Sequence, residues 1–88
     1  MTREHPSDCE ALGLTILAAT LSDERRAERF LALTGLSPDG IRARAGDRAV
    51  LAACVAFLEA HEPDLISVAR ALGLDPAAIV ALRSELES

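Results

Sequence analysis

His61-Glu62-Pro63-Asp64 sets a histidine beside two carboxylates, the grouping in this chain that most invites a chemical reading. A metal centre would need three or four converging ligands, and the only other histidine is His5, near the start of the chain. The simpler account is electrostatic, because a histidine at a helix C-terminus meets the negative end of the helix dipole. Cys9 and Cys54 both sit in apolar helical contexts, where a free thiol behaves as a small buried hydrophobe. No base stands beside either in an activated-nucleophile motif. The residues therefore predict no catalytic group, no cofactor site and no metal site, and the chain reads as a non-enzyme.

Arginine offers the next chemistry. All nine basic residues are arginine, and the net charge is −5. Residues 1–24 carry Arg3 against Glu4, Asp8, Glu10, Asp23 and Glu24, a net −4, and residues 49–88 also sum to −4. Residues 25–48 carry Arg25, Arg26, Arg29, Arg42, Arg44 and Arg48 against three acids, a net +3. Guanidinium forks suit carboxylates and phosphates, so Arg42, Arg44 and Arg48 are candidates for docking an acidic partner. The competing outcome is internal pairing with the acidic flanks, each exposed pair contributing little. The overall acidic balance disfavours nucleic acid and anionic membrane as partners.

The stretch Val68-Ala69-Arg70-Ala71-Leu72-Gly73-Leu74-Asp75-Pro76 has the pattern of a helix-turn-helix corner. A helix entering the major groove reads bases with its first residues. Here those are Pro76, Ala77, Ala78, Val80 and Ala81, which offer no side-chain hydrogen bonds, and Arg83 is followed by Glu85 and Glu87. A DNA-binding regulator using residues 68–86 is accordingly the alternative rather than the leading reading.

The elements that must position these residues are all helical. Residues 49–58 are uncharged and apolar in every direction around a helix, which marks a helix buried against several neighbours and too short to span a bilayer. The spacing predicts a central helix over about 48–61, capped by Asp47 and stopped by Pro63. Ser7-Asp8-Cys9-Glu10 reads as a capping box after a tail of residues 1–6. A stripe of Cys9, Leu12, Ile16 and Ala19 follows, flanked by Leu14, Leu17 and Leu21, and mid-helix Gly13 implies a close crossing. Ser22 is expected to cap a second helix bearing Ala27, Phe30, Leu31 and Thr34, with Arg25, Arg26, Glu28 and Arg29 on its wet face. Ser37-Pro38 starts a short third helix closing at Gly46, with Ile41 and Ala45 inward. Two more carry Leu65, Val68, Ala69 and Leu72, then Ile79, Leu82 and Leu86. Gly35-Leu36-Ser37-Pro38 and Gly73-Leu74-Asp75-Pro76, each followed by an inward isoleucine, read as one helix–helix corner used twice. No alternating strand pattern appears. The expected fold is all-α, a compact bundle of five to six short helices in a single domain over residues 7–88.

The segment Arg29-Phe30-Leu31-Ala32-Leu33-Thr34-Gly35-Leu36, with Ile41-Arg42-Ala43-Arg44-Ala45, Phe57-Leu58 and Ala71-Leu72-Gly73-Leu74 before Pro76, resembles a family of small bacterial proteins described only as a domain of unknown function. The resemblance spans nearly the whole chain. It implies a small all-helical domain that stands alone, and it carries over no site residue.

Reduced thiols, and acids where a signal peptide would be basic, lead us to expect a cytoplasmic protein. With chemistry unsupported, a protein-interaction module is the leading expectation. Its candidate partner-binding residues are Arg42, Arg44 and Arg48 together with Leu14, Leu17 and Leu21. The leucines exceed what one small bundle needs to cover, which points to an unidentified protein partner or a homodimer.

Overall fold

Alanine-rich helices can approach closely, and one helix takes most advantage of it. In a computed structural model describing residues 6–88, with side chains from Asp8 onward, six helices follow one another: α1 (Pro6–Leu21), α2 (Glu24–Thr34), α3 (Pro38–Ala43), α4 (Arg48–Glu59), α5 (Glu62–Leu72) and α6 (Pro76–Glu87). No strand occurs among the described residues, so the protein is an all-α bundle. The expected tail over residues 1–6 lies outside the described residues except for Pro6, which already belongs to α1. Ser7 thus stands inside the helix rather than at the capping position expected of it.

Helix α4 is central. Val50, Leu51, Ala52, Cys54, Val55, Phe57 and Leu58 are all buried on it, and α1, α2, α5 and α6 pack around it. Phe57 meets Phe30 of α2 edge-on, with ring centroids 5.3 Å apart, a favoured aromatic geometry. A Cβ built on Gly13 would lie 3.0 Å from Leu51 Cδ1 and 3.3 Å from its Cβ. The glycine is what lets α1 cross α4 so closely, as its mid-helix position implied.

The caps explain where helices begin. Ser37 Oγ accepts from Gly40 N–H, Asp47 from Ala49 N–H and Asp75 from Ala77 N–H, each satisfying a donor the helix leaves open. Three boundaries differ from expectation. Asp23, not Ser22, caps α2, accepting from Arg26 N–H at 2.9 Å; the Ser22 hydroxyl instead donates back to the Ala19 carbonyl. Helix α4 ends at Glu59, and His61 is the residue before α5, extended at φ −141° and ψ 94°. Proline is accepted in the first turn of a helix, so Pro63 sits inside the start of α5 instead of merely ending α4. Helix α3 stops at Ala43, and a turn covers the rest of the way to Gly46.

The two corners are built alike. Gly35 and Gly73 take left-handed φ values of 73° and 69°, where a side chain would be strained. Leu36 and Leu74 pack half-buried against the core, while Ile41 and Ile79 are buried in it.

Candidate interaction surface

Most arginines of residues 25–48 have acid or carbonyl partners within the chain. Arg48 is the most engaged: its guanidinium donates to the Leu86 carbonyl (3.2 Å), the Glu85 carbonyl and Glu10 Oε2 (3.2 Å). It thereby ties the start of α4 to the start of α1 and the end of α6. Arg44 pairs with Asp47 at 3.1 Å and Arg42 with Asp39 at 3.1 Å, both three residues apart and solvent-exposed. Arg29 pairs with buried Asp64 at 2.7 Å and lies over the Phe57 ring. The +3 of residues 25–48 is thus largely met by acids of the same chain, Glu10 and Asp64 coming from the acidic flanks.

Arg26 departs further from expectation. It is only 8% exposed rather than wet. Its Nε donates to the Thr20 carbonyl and its Nη2 to the Ala19 carbonyl, both at 2.9 Å, with Nη1 3.5 Å from Ser67 Oγ. These carbonyls end α1, where the helix leaves acceptors open and the dipole is negative. A guanidinium serves two of them at once and neutralises the end. Periodicity alone assigns a charged residue to solvent, and no signal in the sequence marked this one as a cap.

His61 is exposed, and among the described residues no three His, Cys, Asp or Glu side chains converge as metal ligands would. Cys54 is fully buried, its thiol donating to Thr20 Oγ1 at 3.3 Å, and Cys9 is half-buried beside Arg48; both are free. Burial pushes the Cys54 thiol up to about 11 and raises that of Cys9 as well. Neither is poised as a nucleophile at neutral pH, since the thiolate is the reactive form.

Of the three leucines expected to face a partner, Leu17 is core at 3% exposure, Leu21 is half-buried, and Leu14 is 39% exposed. The helical turn separates them: Leu17 follows Ile16 onto α4, while Leu14 shares the outer side with Ala11, Thr15 and Ala18. That outer side bears no charge between Glu10 and Asp23. Thr15 offers little polarity either, because its hydroxyl donates back to the Ala11 carbonyl at 3.1 Å. Leu21 also lines an apolar hollow of about 280 Å³ with Ala27, Leu31, Pro38 and Ile41, and Arg42 stands at its edge. Leu33, 74% exposed, borders a second hollow containing Arg44.

Compared with known proteins, residues 6–88 match the model of a family described as "Protein of unknown function (DUF3572)". The chain belongs to the DUF3572 family. No curated protein and no solved structure matches it. The family match covers all six helices, in agreement with the small all-helical domain that the segment around Phe30 and the two corners implied.

The chain bends by 99° between α5 and α6, within the range of helix-turn-helix corners. Arg83 is held by both oxygens of Glu59, at 2.7 and 3.2 Å, with Glu87 at 3.8 Å. Among the described residues no single helix is long and apolar enough to cross a membrane.

Proposed function

We propose that this DUF3572 chain is a non-catalytic protein-interaction module of the cytoplasm that docks through the outer face of α1. The observation that carries the reading is that face itself: Ala11, Leu14, Thr15 and Ala18 are exposed on the longest helix, with no charge from residue 11 to 22. Helix α1 packs against α2, α4, α5 and α6, and this strip is the part of it that they leave uncovered. The arginines support the reading less, since Arg42, Arg44 and Arg48 each have a partner within the chain. A photo-cross-linking residue at position 14 tests the proposal in cells. One discrete cross-linked species, lost when Ala18→Glu is added and absent with the cross-linker at position 33, is the expected result. Diffuse or no cross-linking at position 14 counts against the module.

The 99° corner at Gly73 favours a second reading, DNA binding through α6, by shape alone. It ranks lower because phosphate contacts carry much of DNA affinity and Arg83 is already engaged. Fluorescence anisotropy with labelled duplex decides the ranking. Submicromolar, salt-dependent binding abolished by Arg83→Ala would reverse it.

A further inference from the structure

We infer that the outer face of α5 pairs with the same face of a second copy, the two helices antiparallel about a two-fold axis at Ile66. This goes beyond the α1 reading and does not depend on it. Glu62, Ile66 and Arg70 follow one another at four-residue spacing along α5, on one face of the helix. All are exposed, Ile66 at 38%. A groove of about 560 Å³ runs along this face, lined by Glu62, Pro63, Ile66, Ser67, Arg70 and Ala71. A second hollow of about 260 Å³ shares Ile66 and Arg70 and is completed by Ala69, Leu74 and Pro76. Among the described residues, neither the Glu62 carboxylate nor the Arg70 guanidinium has an ion pair or a hydrogen bond. That sets Arg70 apart, because Arg29, Arg42, Arg44, Arg48 and Arg83 each pair with an acid of the chain.

The two charges are arranged as their own complement. Each lies about 6 Å along the helix axis from Ile66, one on either side, given about 1.5 Å of rise per residue. A two-fold axis at residue 66 therefore sets Glu62 of each copy opposite Arg70 of the other, with Ile66 meeting Ile66 between them. An apolar contact flanked by matched ion pairs is the isologous arrangement of a closed dimer. Parallel helices would instead set Glu62 against Glu62 and Arg70 against Arg70. Both charges also suit the α5 dipole, which accounts for their signs but not for an isoleucine and a groove between them. The neighbouring charges leave the pattern intact. Asp64 is buried and held by Arg29, Asp75 accepts from Ala77 N–H at the start of α6, and exposed His61 adds no acid beside Glu62. Helix α2 lies beside Ser67, whose Oγ is 3.5 Å from Arg26 Nη1, and its exposed Glu24, Arg25 and Glu28 alternate in sign. A face of both signs on a chain of net charge −5 disfavours nucleic acid and anionic lipid. The other open surfaces select no partner in this way: the α1 strip is uncharged, and at the Leu33 hollow Arg44 is already paired with Asp47.

Charge exchange tests this in the full chain, read by sedimentation over a wide concentration range at low salt. A reversible monomer–dimer equilibrium is expected. Glu62→Arg and Arg70→Glu should each weaken it about tenfold or more, since either change sets like charges opposite one another at both ends of the contact. An equimolar mixture of the two variants should pair again, because a copy bearing two arginines then meets a copy bearing two glutamates. Circular dichroism should show parental helicity in each. Glu62→Gln and Arg70→Gln, gentler on the ends of α5, should weaken pairing by a smaller factor. Ile66→Cys in a Cys9→Ser background adds a second readout: residue 66 meets itself, so mild oxidation should link two copies, whereas Ala32→Cys on the exposed side of α2 should not. A monomer at every concentration overturns the inference. So does a dimer that the charge changes leave intact, or a mixture of folded variants that stays monomeric. A dimer indifferent to these changes but lost with Ala18→Glu would overturn it while supporting the α1 module. Re-association of the mixture together with no cross-link at position 14 would uphold it and remove the α1 reading.

Discussion

Arg26 shows how a side chain from the next helix can help close the end of α1, beside the Ser22 hydroxyl that also serves the Ala19 carbonyl. Its two short bonds to the Ala19 and Thr20 carbonyls are charge-assisted and shielded from water, a class contributing roughly 1.5–3 kcal/mol each. Arg26→Ala should therefore lower the free energy of unfolding by about 3–6 kcal/mol, read from the urea midpoint, while Arg25→Ala next to it should barely move it. Cys54 gives a second residue-scale expectation, in pH. In the unfolded chain its thiol ionises at the ordinary value of 9.0, whereas in the fold burial pushes it to about 11. Between those values the unfolded chain has lost a proton that the folded chain keeps. Stability contributed by the protonated thiol is thus complete below pH 9.0 and lost as pH rises through about 11. The loss is roughly 2–3 kcal/mol. The chain contains no lysine or tyrosine, so the two thiols are the only side chains titrating in that window. Denaturation midpoints followed from neutral pH upward should fall, and Cys54→Ala should flatten most of the slope.

At the scale of elements, the same physics explains what the sequence disclosed and what it withheld. Apolar spacing put Phe30, Leu58, Val68 and Ile79 in the core, and all four are buried. Glycine, cap and proline at each corner foretold both turns, because backbone preferences of this kind act within a few residues. Helix ends slipped by one or two residues where two capping groups compete, as with Ser22 and Asp23. Leu17 and Arg26 were placed on the wrong side for a different reason. A helix such as α1, uncharged and largely apolar on every side after Glu10, gives periodicity little to lock onto, and a charged residue's burial depends on acceptors from another helix. The exposed strip of α1 was legible only as excess hydrophobicity, since which leucine is left uncovered is decided by packing. Gly13 was readable as a crossing, and its cost can be measured. Gly13→Ala should gain about 1 kcal/mol of helix propensity yet destabilise overall, because Leu51, fully buried, cannot yield to a methyl group 3.0 Å away. A higher melting temperature for this variant would show that the crossing relaxes.

For the whole molecule, α4 is the element on which everything else depends. Phe57→Ala should cost about 3–5 kcal/mol, since it removes the ring that Phe30 and Arg29 both pack against. Among Arg42, Arg44 and Arg48, stability should divide sharply. Arg42→Ala and Arg44→Ala each break an exposed pair, worth about 0–1 kcal/mol. Arg48→Ala alone should lower the melting temperature clearly, as it leaves Glu10 and two α6 carbonyls without their donor. Equal effects from all three would mean that the Arg48 contacts are as weak as the surface ones. Those contacts also fix something about the path of the backbone. One guanidinium touches both Glu10 and the carbonyls of Glu85 and Leu86, so the first turn of α1 and the last turn of α6 lie within a side chain's length of each other. A short Gly/Ser linker could join Asp8 to Ser88 without disturbing the bundle. The resulting ring, reopened at the Gly35 corner, should fold to the same six helices in a new order, with α1 and α6 then consecutive in the chain.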